Sequence, residues 1–219
     1  MGAQRAKGTG GFTLVELLVV MVVAGLVVMA AVTTFIVQNK IAGIQAATSD
    51  TQLSGQVTMD MLERDVRMAG YGVNKANAIV TQDNAAATDP LRSVGTDAIQ
   101  IRYSTAVPLS APPGTRGSRN YNYYIAKSGE GGLVRQDLVG GTTDTIASNV
   151  EDLQVTVTPD VPATGAMQVV LGLMVRSAAK DPAYTVAPPQ IGNGIARPAD
   201  GFRRRVYNST INPRNYFGS

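Results

Sequence analysis

Glu16 is the residue whose chemistry most needs explaining, because it stands inside a run that is otherwise almost wholly apolar, Phe12 to Val37. An ionisable side chain deep in hydrocarbon costs about 2.5–3.5 kcal/mol on insertion scales, so such a residue needs a functional reason. The other groupings with chemical potential lie far along the chain. Asp83, Asn84 and Asp89 are oxygen donors of the kind that hold calcium, but their spacing fits no EF-hand loop and ordinary turn chemistry accounts for them. Arg203-Arg204-Arg205 is a candidate phosphate patch. Consecutive residues of a strand point to opposite faces, however, so a solvated edge strand or a subunit contact is the better reading. Tyr121, Tyr123 and Tyr124 are a candidate stacking or adhesive surface, with half-buried sheet preferred, since Tyr121 and Tyr123 share a face. Glu151 and Asp152 are neighbours that a strand turns apart.

The chain contains neither histidine nor cysteine. That removes His-based triads, His zinc sites, thiol chemistry and disulfides together. No grouping of its Ser, Lys, Asp and Glu residues has nucleophile–base logic, so an enzyme is disfavoured, and no cofactor or metal is expected. Net charge is +3, from 19 basic and 16 acidic residues, too balanced to argue for nucleic acid as a partner.

From Leu17 to Val32 every residue is apolar or glycine. At ~1.5 Å per residue the helix from Phe12 to Val37 is about 39 Å long, more than the ~30 Å of a hydrocarbon core. A conventional secretory signal has a shorter apolar core followed by a small-residue cleavage site, whereas here Met29-Ala30-Ala31 runs on into further helical pattern. An uncleaved signal anchor explains Arg5 and Lys7 by the positive-inside rule but leaves Glu16 unexplained. A third reading uses every part: a short basic leader, residues 1–11, ends at Gly10-Gly11, and the apolar core begins only after that junction.

The helix is expected to continue beyond the membrane. No proline occurs before Pro90, and all eleven lie from there onward, which argues for one long helix followed by a loop-rich head. Gly25, Gly43 and Gly55 are expected points of softness. Met59, Leu62, Val66 and Ala69 recur on one face, with Asp60, Glu63, Arg64 and Arg67 opposite as favourable Asp60–Arg64 and Glu63–Arg67 pairs. Gly70 is expected to stop the helix.

Beyond it the periodicity changes to that of strands. Residues 98–103 alternate, residues 121–126 and 132–135 read as a hairpin, residues 153–158 alternate again, 167–175 read as a central strand and 202–211 as a more polar last one. Long loops are expected at 105–120 and 177–201. The fold class is therefore α+β: a long N-terminal helix packed on a mostly antiparallel sheet head, divided as leader 1–11, membrane segment 12–37, helix continuation 38–69 and head 70–219.

Gly11-Phe12-Thr13-Leu14-Val15-Glu16-Leu17 resembles the processing motif of type IV pilin-like proteins at every position. The resemblance implies that a prepilin peptidase cuts after Gly11 and that Phe12 becomes an N-methylated terminus. It further implies that Glu16 pairs with the terminal amine of a neighbouring Phe12 in a filament core. Residues 61–71, 148–155 and 202–215 are similar to segments of PilW-like minor pilins, with Pro213 departing from the usual apolar residue. This resemblance implies membrane lipid before assembly, then other minor pilins, the major pilin and an inner-membrane assembly platform as partners, with the head in the periplasm until the subunit joins a surface filament. A PulJ-type pseudopilin of type II secretion shares the architecture and is the alternative. A tip-located adhesion or DNA-binding module, reading through the two long loops, is the alternative of another class.

Overall fold

In this computed structural model, residues 11–74, 77–106, 116–127, 131–158 and 167–216 are described. Arg5, Lys7 and the rest of the expected leader up to Gly10 lie outside them. One helix, α1 (Leu14–Met68), carries the N-terminal third. The chain divides into two compact units, residues 1–46 and 47–219. In the first, every residue from Gly11 to Gly43 is exposed. Its most apolar stretch satisfies the length and composition of a membrane span with none of it buried. The two hydroxyls inside the stretch donate back to the helix, Thr33 Oγ1 to Met29 O and Thr34 Oγ1 to Ala30 O, each at 2.9 Å. Neither hydroxyl is left unpaired for an apolar surrounding.

In the second unit the rest of α1 buries a stripe: Thr51, Gly55, Thr58, Met59, Leu62, Asp65 and Val66. Among the described residues eight strands complete the head. β1 (Ile79–Gln82), β2 (Ala98–Ala106), β3 (Arg116–Ile125), β4 (Gly132–Asp137) and β5 (Thr143–Ser148) form an antiparallel meander in that order. β6 (Val150–Thr158), β7 (Gln168–Lys180) and β8 (Phe202–Ile211) form a second antiparallel sheet with β7 central. One hydrophobic core joins all three layers. Leu62 and Val66 of the helix meet Ile99, Ile101 and Tyr123 of the first sheet and Leu153, Leu171 and Leu173 of the second.

The expected α+β class and the strands at 98–103, 121–126, 132–135, 153–158, 167–175 and 202–211 are present. Four expectations need correction. The head has two sheets rather than one, because the chain turns at Asn149, which takes a positive φ of 60°, and β6 starts a new ladder. The loop expected at 105–120 is shorter, since β2 reaches Ala106 and β3 begins at Arg116; the ladder pairs Arg119 with Tyr103 and Asn120 with Arg102 despite polar side chains. The loop expected at 177–201 starts only at residue 181, because β7 runs to Lys180. Glu63–Arg67 forms at 2.6 Å, but the described residues show no Asp60–Arg64 ion pair, as suits two exposed side chains that gain little from pairing in water.

Three contacts fix the helix on the sheets, and two of them involve residues that look unremarkable in sequence. Asp65, though ionisable, lies in the buried stripe and accepts hydrogen bonds from the hydroxyls of Tyr103, at 3.2 Å, and Tyr123. Burial first, and the Asp65 charge second, push both phenols up from their ordinary range, so they remain protonated donors. Gly55 is a packing site rather than a point of softness. The Tyr207 ring lies where a β-carbon at Gly55 would stand, and its hydroxyl donates to Thr51 O at 3.3 Å and Gln52 O at 3.2 Å. At the helix end Gly70 takes the left-handed conformation, φ 82°, as a glycine after the last turn does. Asn215 Nδ2 donates to the carbonyls of Met68 at 3.3 Å and Ala69 at 3.2 Å, satisfying acceptors that a helix leaves open. A 3-10 turn, Arg214–Tyr216, delivers that side chain.

Gly55→Ala should therefore lower stability by about 1–3 kcal/mol, the usual cost of overpacking, whereas Gly43→Ala, with nothing within 4 Å of its β-carbon position, should be neutral or slightly stabilising. Denaturant unfolding of the two variants checks this; equal effects would remove the packing role of Gly55.

Candidate processing junction and charged clusters of the head

Gly11, Phe12 and Thr13 precede the first helical residue, Leu14. Thr13 occupies the N-cap position. Its Oγ1 accepts from the Glu16 N–H at 3.3 Å, so one of the four amides left open at a helix start is partnered, and its carbonyl accepts the first intrahelical bond, from the Leu17 N–H at 3.2 Å. The Thr13–Glu16 spacing is that of a capping box, and it places the Glu16 carboxylate in the first turn, where the helix dipole favours a negative charge. Glu16 is thus placed within one turn of Phe12.

Among the described residues no packing demand falls on Gly11. Nothing lies within 4 Å of where its β-carbon would be, and it is not among the residues of positive φ. Phe12 is 78% exposed. Gly11 and Phe12 are thus both open to solvent among the described residues.

In the head, none of the three candidate clusters forms a ligand site among the described residues. Asp83, Asn84 and Asp89 do not converge. Asp83 Oδ1 accepts from Asn193 Nδ2 at 2.9 Å, the Asn84 N–H donates to Asp97 Oδ1 at 2.8 Å, and Asp89 caps its own turn by accepting from the N–H groups of Leu91 and Arg92. The bond from the Arg92 amide is the main reason the Asp89 carboxyl is held down to about 2. Among the described residues no three acidic side chains come together as metal ligands. Tyr121 and Tyr123 face the core with edge-on rings 6.4 Å apart, while Tyr124 turns to the opposite face against Ala98 and Val134.

Arg203, Arg204 and Arg205 form no continuous patch, and Arg204 is not the solvated residue expected of an edge strand. Its side chain is 3% exposed, with Nε 2.5 Å from Glu151 Oε2 and its terminal nitrogens 2.6 and 2.8 Å from Asp200. These bonds hold the Asp200 carboxyl down to about 2. Arg203 pairs with Asp181 at 2.8 Å. Of the three, only Arg205 lacks an ion pair among the described residues. Sequence reading missed these partners because Asp181 and Asp200 sit at the two ends of the 181–201 loop, and only the folded loop brings them to β8. Glu151 and Asp152 do point apart: Glu151 toward Arg204, Asp152 under the 181–201 loop beside Gln154.

The prokaryotic N-terminal methylation motif matches residues 7–32, spanning Gly11-Phe12 and most of the apolar segment that follows. The match supports the type IV pilin-like superfamily that Gly11 to Leu17 resembles. Among solved structures, a type IV-like pilin from Thermus thermophilus is similar at 14% identity and a TM-score of 0.45, over 75% of this chain and 97% of that one. No curated protein matches the chain.

Arg204→Ala should cost about 3 kcal/mol, because it leaves Glu151 and Asp200 facing each other without their shared cation, and Arg205→Ala should stay within about 0.5 kcal/mol of wild type. Unfolding titrations at pH 7 compare them. Asp200 is lowered from an ordinary 3.8 to about 2, so the stability it adds is present above pH 3.8 and fades as pH falls through about 2. The difference between wild type and Arg204→Ala should shrink over that window.

Proposed function

We propose that this chain is a minor pilin of the PilW-like kind, cut between Gly11 and Phe12 by a prepilin peptidase, N-methylated at Phe12, and assembled into the priming or tip complex of a type IV pilus. The observation that carries the reading is the methylation motif over residues 7–32, at the start of a helix whose apolar stretch is exposed among the described residues. Before assembly, lipid covers residues 12–37, with Arg5 and Lys7 on the cytoplasmic side and residues 38–219 in the periplasm. On assembly, the apolar segment moves from lipid into a bundle of like helices drawn from the major pilin and other minor pilins, fed by an inner-membrane platform.

Glu16 gives that step its chemistry. Cleavage creates a positive amine at Phe12, and an ammonium carried into a desolvated helix bundle must be paired. A carboxylate one turn down the helix of an adjacent subunit can supply the pairing, and the capped first turn at Thr13 holds it in place. A pseudopilin of type II secretion would use the same device. Deleting the gene and scoring both surface pili and secreted enzymes separates the two readings: loss of pili supports the first, and loss of secretion with normal pili the second. A tip-located adhesion or DNA-binding role would instead leave filaments normal when the loop 181–201 alone is deleted.

Mass spectrometry of the mature protein should find Phe12 first and methylated; an intact Met1 would leave only a signal anchor. Glu16→Ala should leave cleavage largely intact and reduce incorporation into filaments by about tenfold or more, since an unpaired buried charge costs about 3–5 kcal/mol. Wild-type incorporation of that variant would remove the charge-pair mechanism.

A further inference from the structure

The outer face of β6 carries two polar side chains that are fully covered. Asp152 is 0% exposed and Gln154 is 4% exposed. Two residues apart on one strand, they share a face, and the 181–201 loop covers it. A β-carbon at Gly194 would stand 2.6 Å from Asp152 Oδ2 and 2.7 Å from Gln154 Nε2, so only a bare backbone fits there. Ile191 fills the space above Gly172, the partner of Gln154 on β7.

The hydrogen bonds beneath this cover are incomplete in a particular way. Gln154 Nε2 donates to Asp152 Oδ1 at 2.8 Å and to Gly95 O at 2.9 Å. Those two acceptors fix the amide orientation, since turning it over would set its oxygen against both. Asp152 Oδ2 and Gln154 Oε1 are then left buried without a donor. Two orphaned acceptors on adjacent groups, already joined by one N–H···O bond, are what remains of an acid–amide pair from which the acid proton is missing. A buried acceptor without a partner costs about 1–3 kcal/mol. One proton on the Asp152 carboxyl converts one orphan into a donor for the other.

We propose that Asp152 and Gln154 form a proton-operated clasp under the 181–201 loop, closed as an acid–amide pair when Asp152 is protonated and loosened when it ionises. The charges around Asp152 agree with this. Asp97, ahead of β2, faces it with a like charge, and Asp97 is itself beside Asp83, which Asn193 of the loop holds. Arg197 of the loop is the opposing cation and favours the ionised form; one terminal nitrogen donates to Glu151 O at 2.9 Å and its Nε is buried without an acceptor, yet burial outweighs it. Glu151, next on the strand, is turned away to Arg204. Burial is the largest influence on Asp152 and pushes its carboxyl up to about 6. A divalent cation could also satisfy orphaned oxygens, but no third acidic ligand converges among the described residues.

The direction of the effect follows from linkage. A carboxyl raised from 3.8 to about 6 in the closed form favours closure fully below pH 3.8, and loses that contribution as pH rises through about 6. Opening of the loop should therefore increase by up to about a hundredfold between pH 4 and 7. Hydrogen exchange of the full chain in detergent micelles, corrected for intrinsic exchange rates, reads this at the Gly194 amide, which bonds Ile191 O at 2.9 Å. Asp152→Asn, a neutral isostere with its own donor, should keep that amide protected alike at pH 4 and 7, with β7 amides as the control for folding. A flat wild-type profile, or the same step in Asp152→Asn, would overturn the proposal, as would a response to calcium chloride at fixed pH with none to pH. Should Asp152→Asn not fold, the carboxyl carbon resonance of Asp152 in the wild-type chain decides: a midpoint near 6 supports the clasp, and one below about 4.5 sinks it.

Discussion

The constraint on which the rest depends is that the apolar start of α1 is exposed among the described residues. Large side chains from Leu14 to Val37 stand open, and a single fully buried Leu, Val or Ile is worth about 1.5–3 kcal/mol relative to exposure. Such a surface exceeds by far what a water-soluble chain leaves exposed. It demands an apolar surrounding supplied from outside. The polar groups of the segment are arranged for that surrounding: both interior threonines bond back to the helix, and the one carboxylate sits in the first turn, where the dipole and the Thr13 cap favour it.

The head must then grip the remainder of the same helix, and it does so with polar contacts set among apolar ones. Leu62 and Val66 are fully buried among the strands, yet apolar contact alone tolerates sliding by a turn. Asp65 does not. Two phenols from adjacent strands meet one carboxylate, and a shift of the helix would leave a buried charge unpaired, which is strongly destabilising. The Tyr207 ring over Gly55 and the Asn215 side chain on the last carbonyls set the same register from β8 and the chain's C-terminal turn. The helix position is thus defined by contacts from both sheets.

How much of this was legible in sequence depended on whether the cause was local. Periodicity placed the helix, its apolar face and most strands, and Gly70 marked the helix end, because each is a property of neighbouring residues. β5, residues 143–148, is polar and exposed on an edge, so its alternation carries little hydrophobic signal. The first half of β3 was hidden for the same reason. Asp65 falls three residues after Leu62 on the buried stripe, but nothing nearby shows that Tyr103 and Tyr123 await it. Gly55 was misread because an absent side chain signals softness and close approach alike, and the partner that decides between them is Tyr207. Of the candidate site, Gly11, Phe12 and Glu16 were readable since the motif is contiguous, whereas the Arg204 cluster is assembled by a loop.

The absence of histidine gives the β6 face a wider meaning. An ordinary protein titrates near pH 6 through imidazole, and this chain has none. The groups left to respond in that range are carboxyls whose charged form the fold disfavours. Asp152 meets that condition through burial under a glycine-lined loop, facing Asp97, and burial outweighs its cationic neighbour Arg197. Gly192 and Gly194 matter here as much as the acid, since they let the backbone lie close enough to exclude water. Had the loop kept side chains at these positions, water could reach Asp152 and return it to the ordinary carboxylate range. The same close cover that deprives two oxygens of a donor is what makes a single proton able to change the loop's hold.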